Sequence, residues 1–151
     1  MSKGLAGVGN TPAHQYLITY FVLEIYRRFD KYKKYEDYRA YPEFDSEDNK
    51  NPDLSIYIRK KPTDELIVVI EFCTTKSFNK DVDKIIKQMQ LISSIREGYI
   101  FNSDTFLMYK ISRNKKGIPV KNSDTTDTIE AISFNIDKAV TRAKADLQPV
   151  Q

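Results

Sequence analysis

Residues 66–73 read LIVVIEFC, an apolar run broken only by Glu71. A continuous run of this length, without polar alternation, describes a strand covered on both faces, so the chain must build a sheet with layers on either side of it. A carboxylate inside that strand is strongly unfavourable unless it is paired or bound to a cation. Two solutions are open at this point: an ion pair with Lys76 or Lys84, or a metal-binding or catalytic role. The rest of the sequence is read outward from this strand.

On its N-terminal side, Asn51-Pro52 is a turn signal before a strand over 53–59. Leu54, Ile56 and Ile58 face one way, and Asp53, Ser55 and Tyr57 the other. A Pro-containing turn over 60–65 folds the two strands into a hairpin. In that pairing Asp53 and Glu71 converge, close enough for their oxygens to share a cation.

On its C-terminal side, Ser77, Phe78 and Asn79 offer caps for a helix over 80–95, with Asp81 and Asp83 in its first turn. Val82, Ile85, Ile86, Met89, Ile92 and Ile95 form its core stripe. Lys80, Lys84, Lys87 and Gln88 lie on another face, where a plainly solvated surface is the ordinary reading. Glu97 and Gly98 end this helix, and a strand follows over 99–102.

The flanks complete an α/β domain. Residues 1–13 are small and glycine-punctuated and read as a flexible segment, leaving 14–151 as a single domain. Residues 15–29 (QYLITYFVLEIYRRF) form a helix buried on more than one side. Glu24 interrupts its apolar surface. It is either the partner of Arg28 at i,i+4 or a carboxylate directed toward the strands. Residues 35–44 make a first strand, and an acidic loop occupies 45–50. After the second helix come strands over 106–112 and 118–120, a polar loop over 121–127, a last strand over 129–136, and a helix over 138–147 capped by Asp137. The expectation is a mixed four- to five-stranded sheet flanked by helices.

Composition excludes several classes. With 40% hydrophobic and 30% charged residues in 151, the chain suits one domain with an ordinary core. No run approaches the roughly 20 apolar residues of a membrane span, and the N-terminus has no secretion signal, so the expectation is a cytoplasmic protein without a membrane partner. The single cysteine, Cys73, forbids an internal disulfide, and the single histidine, His14, argues against a His/Cys zinc site. No basic residue adjoins Cys73 in a pattern that would make it a nucleophile. A net charge of +3 permits a polyanionic partner without demanding one.

The order is helix with Glu24, strand, strand opening with Pro52-Asp53, strand ending in Glu71, helix, strand. In this the chain resembles the PD-(D/E)xK nuclease superfamily, the restriction-endonuclease-like fold. Pro52-Asp53 is similar to its PD element. Glu71, eighteen residues later, is similar to the acid of (D/E)xK, and Glu24 to the first-helix glutamate of many members. The resemblance covers residues 15–112. One position departs: the family's lysine falls at Cys73, whose neutral thiol supplies no cation for the attacking water or the developing charge. Members supply the basic group from neighbouring positions, which makes Lys76, Lys84 and Lys87 the candidates, with Gln88 a polar substitute.

The resemblance implies a nuclease that hydrolyses phosphodiester bonds in DNA, in defence, repair or recombination. Asp53 and Glu71 would hold Mg²⁺ (or Mn²⁺) together with a backbone carbonyl near Phe72 to Cys73, and Glu24 would be an outer ligand or would orient a ligated water. Small nucleases that cut both strands often pair, so the resemblance admits a homodimer. The competing expectation is a catalytically degenerate member that binds nucleic acid or a protein partner through the same face.

Overall fold

The computed structural model describes residues 12–43 and 51–147; the acidic loop over 45–50 and nearly all of the expected flexible N-terminal segment lie outside the described residues. The first helix, α1 (Pro12–Lys31), starts at a proline whose missing N–H costs nothing at that position, so residues 12 and 13 are helical rather than part of a leading segment. His14, Leu17, Ile18, Phe21, Glu24, Ile25 and Phe29 are its buried face, at the three- and four-residue spacing of one helical stripe.

A short 3₁₀ turn (Lys33–Tyr35) leads into β1 (Tyr38–Pro42), followed by β2 (Leu54–Ile58) and β3 (Glu65–Cys73). Helix α2 (Phe78–Leu91) carries the chain to β4 (Glu97–Asn102), then to β5 (Leu107–Arg113) and β6 (Pro119–Thr125). A small two-stranded ribbon of β7 (Thr128–Ile129) and β8 (Phe134–Asn135) brackets a 3₁₀ turn, and α3 (Asp137–Leu147) closes the described chain.

The six-stranded sheet has the order β1-β2-β3-β4-β5-β6. Among the described strands, β3 and β4 are the one parallel pair in it; the other neighbours are antiparallel. A parallel neighbour needs a crossover, and α2 is that crossover. Alternation along β3 divides its side chains between two layers. Val68, Ile70 and Phe72 join the core under α1 and α3, where Phe21 meets Phe72 edge-on at 5.0 Å. Val69 and Cys73 join a second core with Val82, Ile85, Met89, Ile95 and Ile100 under α2. The run 66–73 is therefore covered on both faces because it is the third of six strands in a helix–sheet–helix sandwich. No described helix is long and apolar enough to cross a membrane.

The sheet is larger than the sequence suggests. Strand β6 extends from Pro119 through residues 121–125, which read as a polar loop. As an edge strand it is exposed along most of its length, so it carries no apolar alternation. Glu97 and Gly98 open β4 instead of ending the helix, and the expected strand over 129–136 is split by the 3₁₀ turn Glu130–Ile132. Helix α2 stops at Leu91, with Ile92 and Ile95 beyond it. Arg113 on β5 explains the stop. Its guanidinium donates to the carbonyls of Met89, Ile92, Ile95 and Gly117, satisfying groups that a helix end leaves orphaned.

Gly98 sets how near α2 lies. A Cβ there would stand 2.5 Å from Ile85 Cγ2 and 3.1 Å from Met89 Sδ, so only glycine lets this helix rest on β4 at this separation. Lys84 sits one residue before Ile85, on the same helix turn.

Candidate functional site

Strand β2 begins one residue after Asp53, and Leu54 pairs with Ile70 across the hairpin. That register brings Asp53 beside the end of β3. Asp53 N–H donates to Glu71 Oε2 at 2.7 Å, and Phe72 N–H donates back to Asp53 Oδ2 at 2.8 Å. The two acids are thus held by backbone N–H groups of the facing strands, a reciprocal clasp at the open end of the hairpin. By strand alternation Glu71 faces α2, together with Val69 and Cys73.

From α2, Lys84 reaches over the strand. Its ammonium donates to Glu71 Oε1 at 2.7 Å and to the Asn51 carbonyl at 3.0 Å. Lys84 is therefore the lysine that meets Glu71. Lys76, in the turn before α2, and Lys87, one helical turn further on, are both exposed. Gln88 lines the same α2 groove as Lys84.

The electrostatics are those of a site short of positive charge. Glu71 is 3% exposed. Burial first, and the neighbouring Asp53 carboxylate second, push its carboxyl up to about 8, against the pull of Lys84. Burial also raises Asp53, opposed by the Phe72 N–H, by His14 and by Lys84. Lys84 at both carboxylates and His14 at Asp53 do not offset their burial, and both bind protons more readily than free side chains.

His14 is a participant that sequence reasoning did not place. It is buried in the first turn of α1 and lies close enough to Asp53 for its charge to oppose the rise in that group's pKa. Its sequence signal was position: with Glu24, one of two polar residues on the buried stripe, one helical turn before Leu17 and Ile18. Among the described residues, no group of three or more His, Cys, Asp and Glu side chains is arranged to hold a metal ion. The acids that the hairpin brings into hydrogen-bonded contact, and that could hold one, are Asp53 and Glu71. Their hard carboxylate oxygens suit Mg²⁺, which keeps several waters and takes one or two protein carboxylates together with substrate phosphate oxygens. The Cys73 carbonyl, one of the expected additional donors, accepts hydrogen bonds from Ser103 N–H and Ser103 Oγ, both at 2.8 Å.

Glu24 is placed elsewhere. It is buried between α1 and α3, 2.8 Å from Arg27, 3.4 Å from Arg142 and 4.0 Å from Lys138. Its expected i,i+4 partner, Arg28, instead donates to the Ile132 carbonyl, so the pair within α1 is formed at i,i+3 with Arg27. Along the helix Glu24 is ten residues from His14, roughly 15 Å of axial rise.

Cys73 stands at the position of the expected lysine and is fully buried in the core under α2. Burial pushes its thiol up to about 12, which keeps it neutral and a poor nucleophile. An ammonium on this side chain would enter an apolar cluster, whereas one carried by α2 comes to Glu71 from above. No protein-family model matches the chain, and no curated protein sequence matches it either.

Proposed function

We propose that this protein is a metal-dependent nuclease with a restriction-endonuclease-like core, hydrolysing phosphodiester bonds in DNA with Mg²⁺ or Mn²⁺. The observation that carries the reading is the meeting of Lys84 with Glu71 at 2.7 Å, beside Asp53. The cation absent at Cys73 has a replacement on the following helix. The element order, with three antiparallel strands followed by a helix and a parallel strand, supports the same core.

In this reading Asp53 and Glu71 hold the metal. When bound, the metal supplies a water of lowered pKa and offsets charge on the phosphoryl oxygens. Lys84 stabilises negative charge at the scissile phosphate and orients the nucleophile by moving from Glu71 to a substrate or water oxygen. The hydrogen bond from Phe72 N–H fixes the Asp53 carboxylate in place, so that in this reading Lys84 is the group that rearranges when substrate arrives. The charge of His14 favours the ionised form of Asp53, and Glu24 holds α3 onto α1 at a distance from the chemistry.

A second reading has its own support. Asp53 Oδ2 and both oxygens of Glu71 already accept protein hydrogen bonds, an arrangement that is self-sufficient without metal. It describes a nuclease-fold protein that has lost catalysis and binds nucleic acid or a protein partner.

One experiment separates the two. Purified protein is titrated with Mg²⁺ and Mn²⁺ by calorimetry and assayed on supercoiled plasmid and branched DNA. The nuclease reading expects metal binding and cleavage, with Asp53→Ala, Glu71→Ala and Lys84→Ala each lowering the rate by about 10²-fold or more. Absence of both metal binding and cleavage in the wild type rejects it in favour of the second reading. Cleavage that survives Asp53→Ala and Glu71→Ala together rejects this site.

A further inference from the structure

Outside the clasp itself, a groove of about 730 Å³ runs along the solvent side of α2, lined by Lys80, Asp81, Asp83, Lys84, Lys87 and Leu91 among others. Its three cations and one apolar side chain fall on a single line. At 100° per residue, Lys84, Lys87 and Leu91 return to within about 40° of Lys80, so the four form a stripe down one helix face. Lys84 is the half-buried member, anchored to Glu71 and the Asn51 carbonyl. Lys80 and Lys87 are exposed and flank it, about 6 Å and 4.5 Å away along the axis. Leu91 ends the stripe with 85% of its surface exposed, the largest exposure among the large apolar side chains described.

We propose that this stripe seats the scissile strand of a nucleic acid, which runs along α2 with Lys80 and Lys87 holding the phosphates on either side of the one at Lys84. The assignment rests on the nuclease reading for the identity of the central phosphate, but the seat itself is a charge and spacing argument. Three consecutive phosphates of one strand are separated by two steps, about 6.8 Å at roughly 3.4 Å of rise each, against about 10.5 Å between Lys80 and Lys87 along the helix, and long lysine stems absorb the difference. Lys80 lies in the first turn of α2, where the helix dipole also favours an anion. Leu91 offers a sugar or base an apolar surface where the cations stop.

The acids in the groove are compatible with this path. Asp81 accepts a hydrogen bond from Ser77 Oγ at 2.9 Å and so is directed back toward the helix start. Asp83 is displaced by about 60° from the stripe and sits one turn before Lys87. Phosphate contacts of this kind position a strand without reading its sequence.

The test measures duplex DNA binding by fluorescence anisotropy in EDTA, which removes cleavage from the readout, across a series of salt concentrations. Lys80→Gln with Lys87→Gln is expected to weaken binding and reduce the steepness of log K against log salt by about 1.8, or about 0.9 for each phosphate that is no longer neutralised. Lys80→Arg with Lys87→Arg is expected to restore the slope, which a merely structural effect on α2 would not. In the cleavage assay the Gln pair is expected to raise KM about tenfold while kcat stays within about threefold. An unchanged slope in the Gln pair, or no DNA binding by the wild type, overturns the seat. A reduced slope in the Gln pair, with a wild type that never cleaves, leaves the seat standing and removes the nuclease reading, so the two failures are distinct.

Discussion

Two buried glutamates in this molecule are solved in opposite ways. Glu24, between α1 and α3, has three cations within 4.0 Å, all on side chains at least partly open to solvent. Glu71, between the sheet and α2, shares one ammonium with a second carboxylate and has a carboxyl raised to about 8. Sequence alone makes them alike: each is a single acid in an apolar run. The difference lies in what surrounds them. An excess of positive charge ties one helix to another, whereas a deficit leaves a carboxyl that holds its proton more tightly.

The largest effect that sharpens this comparison is the pH dependence that Glu71 imposes on folding. Its carboxyl titrates at about 4.3 in an unfolded chain and at about 8 in the folded one, so between those values the folded state holds the extra proton. Its contribution is fully present below the unfolded value and is lost as pH rises through 8. Urea denaturation at about pH 5 and pH 8 is therefore expected to show Glu71→Gln removing a difference on the order of 3 kcal/mol that the wild type carries. An equal pH response in wild type and variant would place Glu71 with Glu24, as an acid already neutralised by its neighbours.

Removing the single ammonium comes next. Lys84→Ala is expected to cost about 2–3 kcal/mol at about pH 8 and clearly less at about pH 5, where a protonated Glu71 no longer needs a counter-charge. Chemical denaturation at the two pH values reads it directly. A cost independent of pH would mean that Lys84 contributes through packing of its stem rather than through its charge.

The depth of α2 is the third lever. Gly98→Ala places a methyl group against the buried, β-branched Ile85, which has little room to yield. Thermal or urea unfolding is expected to report a loss of about 1–3 kcal/mol. The displacement should also loosen Lys84 from Glu71, so the pH response of the variant is expected to steepen. A destabilised protein with an unchanged pH response would separate the packing of α2 from the electrostatics of the site.

Much of this arrangement was legible before the fold was known, and the exceptions have physical causes. The apolar run 66–73 announced a central strand, and the hairpin that follows from Asn51-Pro52 brought Asp53 to Glu71 as expected. Lys84 stood among three lysines at helical spacing, but choosing it required the crossing of α2 over β3, which Gly98 sets from another strand. Cys73 in place of lysine was visible as a letter, and its burial in the core under α2 was not. Strand β6 was hidden because edge strands need no apolar pattern, and the end of α2 because Arg113, on a distant strand, caps it. His14 was hidden for the same reason as Glu24: a polar residue on an apolar helix stripe does not say which neighbour waits for it.

The smallest expected effect tests the other half of the comparison. Arg142 lies 3.4 Å from Glu24 and also rests over the Tyr20 ring at 4.7 Å. It is half-buried, and Glu24 keeps the shorter contact to Arg27 when Arg142 is removed. Arg142→Ala is therefore expected to cost about 1 kcal/mol in urea denaturation, and part of that cost should vanish at high salt, since the guanidinium is partly open to solvent. On the nuclease reading, metal binding and cleavage should be unchanged, because Glu24 lies ten residues along α1 from His14, the residue of that helix whose charge acts on Asp53. A large, salt-independent loss would instead mean that Glu24 depends on Arg142 as Glu71 depends on Lys84. A loss of cleavage without a loss of stability would return Glu24 to the chemistry, as the outer acid that the family resemblance implies.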